Sequence, residues 1–159
     1  MSKRSAGILL FRLADGVPQV LLVHPGGPFW KNKDAGAWSV PKGEYEPGED
    51  ARAAAIREFT EETGAAPSER ELLALGEVKQ RNGKVVTAWA AEGDFDATAL
   101  RSNEFELEWP PRSGRRQLFP EVDRALWCDP DTAREKLNPA QVAFVDRLLD
   151  SLRESGRLA

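Results

Sequence analysis

Apolar positions open the chain in two short β-rich runs, residues 6–12 (AGILLFR) and 19–24 (QVLLVH). Ala14-Asp15-Gly16-Val17-Pro18 between them is a turn-forming cluster, so a β-hairpin is predicted. Pro25-Gly26-Gly27-Pro28 and the charged stretch up to Gly36 read as a loop, and Trp38-Ser39-Val40 as a short strand ended by Pro41. Residues 42–50, with Gly43, Pro47 and Gly48, read as an ordered loop. From 51 to 63 the period changes. Ala55, Ile56 and Phe59 form an inner stripe among Arg and Glu, Asp50 is placed to cap the start and Gly64 the end, and a helix is predicted. Strands at 72–79 and 84–92 flank Asn82-Gly83, a strong hairpin turn. Residues 94–100 have no clear period, 105–109 read as a short strand ended by Pro110-Pro111, and 125–128 as another. A short helix at 132–137 precedes an amphipathic helix at 141–153, where Val142, Val145, Leu148, Leu149 and Leu152 recur at helical spacing. No repeat or linker divides the pattern. Residues 1–159 are therefore expected to form one domain of α/β class, a mixed sheet with helices on both faces.

Composition narrows the chemistry. With 22 Lys and Arg against 26 Asp and Glu the net charge is −4, which argues against broad nucleic-acid binding but leaves a nucleotide substrate open if a cation offsets its phosphates. At 41% hydrophobic and 30% charged, the chain is too apolar for disorder and too polar for a membrane bundle. The first apolar run is interrupted at Arg12, and no stretch is long enough to span a bilayer, so a cytoplasmic protein without a membrane partner is expected. Cys128 is the lone cysteine and His24 the lone histidine, so a disulfide within the chain and a closed zinc site are both excluded. Any metal must be held by carboxylates, which points to Mg²⁺ or Mn²⁺.

Carboxylates suited to that task lie on the predicted helix. Glu58, Glu61 and Glu62 stand at i, i+3 and i+4 and share one face. Like charges at those spacings repel, and they sit near the helix C-terminus, where the macrodipole disfavours anions. Stability alone would not select this arrangement, and a divalent cation would convert the repulsion into coordination. Arg57 is spaced to pair with Glu61, Glu49 can reach back to Arg57, and Gly43 has no side chain to screen its carbonyl from the same ion.

The full spacing runs from Gly43 through Glu49 and Arg57-Glu58 to Glu61-Glu62 and Gly64, and it resembles the Nudix box, the signature of the Nudix hydrolases. Ala65 departs from the pattern, where the family usually carries a larger aliphatic residue. The resemblance implies an α/β/α sandwich and a hydrolase of nucleoside diphosphates linked to another moiety. It also implies that Glu58, Glu61, Glu62 and the Gly43 carbonyl are metal ligands, with Glu58 or another carboxylate activating water. Arg57 and Glu49 would be the orienting pair, and Glu121 a further carboxylate recruited from outside the box.

The run Trp38-Ser-Val-Pro-Lys-Gly-Glu44 is similar to that of dinucleoside polyphosphate hydrolases, diadenosine tetraphosphate hydrolases above all, and of predicted bacterial pyrophosphohydrolases. A dinucleoside polyphosphate is the leading substrate expectation. Nucleoside triphosphates, nucleotide sugars and RNA 5′ ends are alternatives, and a non-catalytic nucleotide sensor is the rival from another class. Lys42 is either a phosphate ligand or a solvated loop lysine. Arg112, Arg115 and Arg116 in a Pro/Gly loop suit polyphosphate or simply solvent, and Trp109 either stacks on a base or caps the core. His24 is read as structural, and Trp38, Phe59, Trp127 and Cys128 as packing. No DNA-binding module is expected, and the chain is compatible with a monomer or a homodimer.

Overall fold

The computed structural model describes residues 3–67 and 72–158. Its organising element is strand β1 (Arg4–Ala14), which meets a different partner on each edge. On one edge it pairs in parallel with β5 (Val85–Glu92), from Arg4↔Val85 to Phe11↔Glu92. Along the other edge its second half pairs antiparallel with β2 (Val17–Pro25) through the predicted turn, and its first half with β3 (Lys42–Glu44). Outer strands β4 (Leu73–Lys79) and β8 (Val122–Cys128) complete a mixed sheet in the order β4-β5-β1-β2-β8, with β3 beside β1.

Side chains alternating along β1 feed two separate apolar layers, as strand geometry requires. Ala6, Ile8 and Leu10 pack with Ala54, Ala55 and Phe59 of helix α1 (Ala51–Thr63). Leu9 and Phe11 face the other way and join Val86, Ala88, Ala133 of α2 (Pro130–Lys136), and Phe144, Val145, Leu148, Leu149 and Leu152 of α3 (Val142–Glu154). The expected sandwich is thus observed: one helix on one face, two on the other.

Helix α1 begins and ends where its caps dictate. The Asp50 carboxylate accepts from the Ala53 amide at 3.0 Å, and Gly64, at φ 82°, donates its amide to Thr60 O at 2.8 Å. Its inward stripe differs in one place from the expected one: Ala54 is buried where Ile56 was expected, and Ile56 sits at the margin.

Several elements depart from the sequence expectation. The 42–50 loop begins as a strand, because Gly43 can lie flat against Ala6 and so continue the sheet. Trp38-Ser39-Val40 forms isolated bridges to Val23 and Leu137 rather than a strand. The expected strand at 105–109 is β6 (Glu104–Glu108), paired with β7 (Arg116–Pro120) in a ribbon apart from the main sheet, so Arg116 lies on a strand and not in the loop. Residues 97–99 form a single 3₁₀ turn capped by Asp96. Among the described residues no helix is long and apolar enough to cross a membrane.

Candidate active site

Where β3 passes the C-terminal half of α1, a cleft of about 330 Å³ opens, lined by Ser5, Lys42, Gly43, Glu44, Glu58, Glu61, Glu62, Lys84, Asn103 and Glu121. The cleft owes its position to sheet pairing. Because β3 docks on β1 at Ser5–Gly7, Lys42 and Gly43 run beside the helix face that bears the carboxylates. A Cβ on Gly43 would overlap the Glu58 carboxylate, so only glycine lets the main chain approach so closely.

Glu62 is buried and accepts the Lys42 amide at 3.2 Å. Burial pushes its carboxyl from 4.5 up to about 8, against the pull of Lys42. Glu58 is also raised, by burial first and by the charges of Glu61 and Glu121, with Arg57 opposing. Glu121 is raised by partial burial and by Glu61. Lys42 is lowered by burial and by Lys84, against the attraction of Glu62, Glu44 and Glu58. The cleft therefore has an acidic side that is short of positive charge and a basic side made by two lysines.

Arg57 organises the acidic side. Its Nε and Nη2 donate to the two oxygens of Glu49 at 3.2 Å each, and Nη1 donates to Glu58 Oε1 at 2.8 Å and to Glu61 Oε2 at 3.4 Å. Burial works against the guanidinium charge, but Glu58, Glu49 and Glu61 outweigh it and raise the pKa above its ordinary value. Glu61 and Glu121 are linked through main chain. The Asn103 amide donates to Glu61 O at 3.2 Å, and the Glu121 amide donates to Asn103 O at 2.8 Å.

Among the described residues, no three metal-ligating side chains close around one point as they stand. The donor set nonetheless fits a hard divalent cation. It consists of carboxylate oxygens whose burial Arg57 and Lys42 offset only in part, beside a glycine main chain that leaves room for them.

The structure brings Gly43, Glu58, Glu61, Glu62, Glu121 and Lys42 into one cleft, with Arg57 and Glu49 braced behind it. Trp109 and the arginines do not line the cleft. Trp109 packs edge-on against Phe29 with ring centroids 5.3 Å apart, Arg116 pairs with Glu106 at 3.3 Å, and Arg112 and Arg115 lie at the ribbon tip. His24 is buried, with Nδ1 2.8 Å from Asp123 Oδ1 and Nε2 2.7 Å from Lys33 O. Ser5, Glu44, Lys84 and Asn103 are lining residues that sequence reasoning missed. Sheet pairing brings Ser5, Glu44 and Lys84 there, and main-chain hydrogen bonds to Glu61 and Glu121 bring Asn103.

Comparison with known proteins bears on the family and the fold. A family model described as the NUDIX domain matches residues 1–148. A solved Ap4A hydrolase from C. elegans, in a binary complex, superposes with a TM-score of 0.65 at 22% identity, covering 94% of this chain and 98% of that one. The NUDIX domain of NrtR from Shewanella oneidensis, solved with ADP ribose, gives a TM-score of 0.65 at 17% identity, covering 96% and 89%. A curated protein named RNA pyrophosphohydrolase, from Dinoroseobacter shibae, is 58% identical over 38 residues, which span 24% of each chain.

Proposed function

The chain belongs to the Nudix family, and from that premise we propose that it is a Mg²⁺- or Mn²⁺-dependent pyrophosphohydrolase that cleaves a phosphoanhydride in a nucleoside diphosphate-linked substrate. The observation that carries this reading is the convergence of Gly43, Glu58, Glu61, Glu62 and Glu121 on one cleft with Lys42 opposite. In it Glu58, Glu61, Glu62, Glu121 and the Gly43 carbonyl would hold the metal. When bound, the divalent ions supply Lewis acidity toward the phosphoryl oxygens and the attacking water.

The chain's own residues do the rest. Arg57, forked onto Glu49, fixes the direction of Glu58 and Glu61. Its bond to Glu58 Oε1 leaves Oε2 as the oxygen that takes the proton from water. Lys42 holds a phosphate from the basic side. Lys42 and Lys84, which both line the cleft, would offset charge on the phosphate oxygens.

A dinucleoside polyphosphate is the first substrate reading, supported by the Trp38–Glu44 run. A second reading, an RNA 5′ end, is favoured by the arginine-tipped ribbon beside the cleft and by the short match to an RNA pyrophosphohydrolase. The two apolar layers share one sheet, which supports a single catalytic domain, and the buried lone Cys128 suits a cytoplasmic location. Incubation with Mg²⁺ and a panel of diadenosine tetraphosphate, 5′-triphosphorylated RNA, nucleoside triphosphates and nucleotide sugars tests the proposal. Product analysis separates the substrates, and full activity in Glu58→Gln or Glu62→Gln would refute the catalytic assignment.

A further inference from the structure

The cleft continues onto a surface for which hydrolysis itself has no use. Asn103 and Glu121, both cleft residues, stand at the base of the β6–β7 ribbon and are joined there by a main-chain hydrogen bond of 2.8 Å. The ribbon leans on the loop that follows β2. The Gly26 amide donates to Glu121 O at 2.9 Å, the Phe105 ring closes over Gly27, and Phe29 meets Trp109 edge to face.

On this joined surface Phe29 is 59% exposed and Trp30 39%, so aromatic side chains stand in water beside a polar cleft. Lys33 lies over the Trp30 ring at 5.1 Å. Among the described residues, no ion pair or hydrogen bond engages the side-chain charges of Lys31, Arg112 or Arg115. Exposed rings interleaved with unpaired cations are the components of a stacking platform for single-stranded nucleic acid.

Distance separates the candidate occupants. Five extended residues of β7 span about 17 Å, so the tip arginines stand roughly that far from Glu121 along the ribbon. A mononucleotide ends inside the cleft. A dinucleoside polyphosphate concentrates its phosphates around the scissile bond, and its far end is an uncharged nucleoside. A polynucleotide repeats a base and a phosphate at every unit and so presents anions that far out. The overall charge of −4 does not oppose this: the cleft itself holds five of the carboxylates, and Glu104, Glu106 and Glu108 alternate onto the ribbon face turned away from Gly27, where Arg116 pairs with Glu106.

We propose that the β6–β7 ribbon and the 26–31 loop bind the first nucleotides of a single-stranded RNA whose 5′-phosphates occupy the cleft. Bases stack on Phe29 and Trp30, and phosphates pair with Lys31, Arg112 and Arg115. The inference rests on the RNA reading of the same cleft.

Binding of 5′-monophosphorylated oligoribonucleotides of one, two, four and eight units to the full chain, in Mg²⁺ and at several salt concentrations, tests it without turnover, because a monophosphate end has no phosphoanhydride to cleave. Affinity should rise at least roughly tenfold from monomer to tetramer and then level off. The double change Arg112→Gln with Arg115→Gln should remove most of that gain and lower the slope of log affinity against log salt by about 1.4. Phe29→Leu should weaken the octamer roughly five- to tenfold and leave the slope unchanged. Affinity independent of length, variants that bind like the parent, or a non-hydrolysable diadenosine tetraphosphate analogue binding as tightly as the octamer would each overturn the proposal. Failure of hydrolysis is seen separately, in the Glu58→Gln and Glu62→Gln assays.

Discussion

The main chain of Gly43 lies against the Glu58 carboxylate so closely that a single methyl group at Gly43 would overlap it. The obstructed group is the far end of a flexible side chain, so Gly43→Ala should displace Glu58 at little cost to the fold. The expected result is a melting temperature within a few degrees of the parent and metal-dependent turnover lowered at least roughly tenfold. Parallel melting and turnover measurements check it. A large loss of stability, or undiminished turnover, would contradict the placement.

Glu62 makes stability depend on pH. Its carboxyl is lifted from 4.5 to about 8 in the folded protein. The folded state then binds the proton more tightly than the unfolded chain. The resulting stability is full below the unfolded pKa and is lost as pH rises through the folded one. In chelator, stability should fall between roughly pH 4.5 and 8, by at most about 5 kcal/mol, and level off above. Glu62→Gln, which cannot ionise, should stay flat over that window, and Mg²⁺ at pH 8 should restore stability to the parent. Melting curves from pH 5 to 9 decide the matter, and parallel curves for the two proteins would exclude Glu62 as the source.

Arg57 acts by shape more than by charge. Lysine would keep the charge but lose the fork that spans both Glu49 oxygens while reaching Glu58. Because these pairs are partly solvated, Arg57→Lys should cost less than about 1 kcal/mol of stability. Its kcat should drop roughly 10- to 100-fold, with weaker Mg²⁺ activation. Metal titration of turnover, set beside urea denaturation, separates the two effects.

Gln141 supports the approach to the cleft from beneath. Its buried carboxamide accepts the Val40 amide at 2.9 Å and donates to Gln80 Oε1 at 2.9 Å and Ser39 Oγ at 3.1 Å. Gln141→Leu would leave the Val40 amide and Gln80 Oε1 without these partners, at a cost of about 3 kcal/mol. A urea midpoint that barely moves would show that these groups find other partners.

Legibility followed the range of the interactions. The carboxylate helix was readable because its caps, its apolar stripe and the Glu58-Glu61-Glu62 spacing are all local. Strand β3 was not, because a three-residue strand built on Lys42, Gly43 and Glu44 has no apolar alternation, and only its register against Ser5–Gly7 makes it one. Trp38-Ser39-Val40 had the right composition for a strand, but Val40 spends its amide on Gln141, and only single bridges form. Lys84 and Asn103 gave no local sign of a place in the cleft. Their positions follow from β1–β5 pairing and from the backbone link between Glu61 and Glu121.

Parallel pairing of β1 with β5 joins positions 81 residues apart, from Arg4↔Val85 onward. Closing so long a segment is entropically costly, whereas the caps and hydrogen bonds of α1 are all local. A nascent chain that has emerged only as far as the helix would already display its acids but could not yet frame them. Competence should therefore arrive abruptly, once the second half of the polypeptide has left the ribosome.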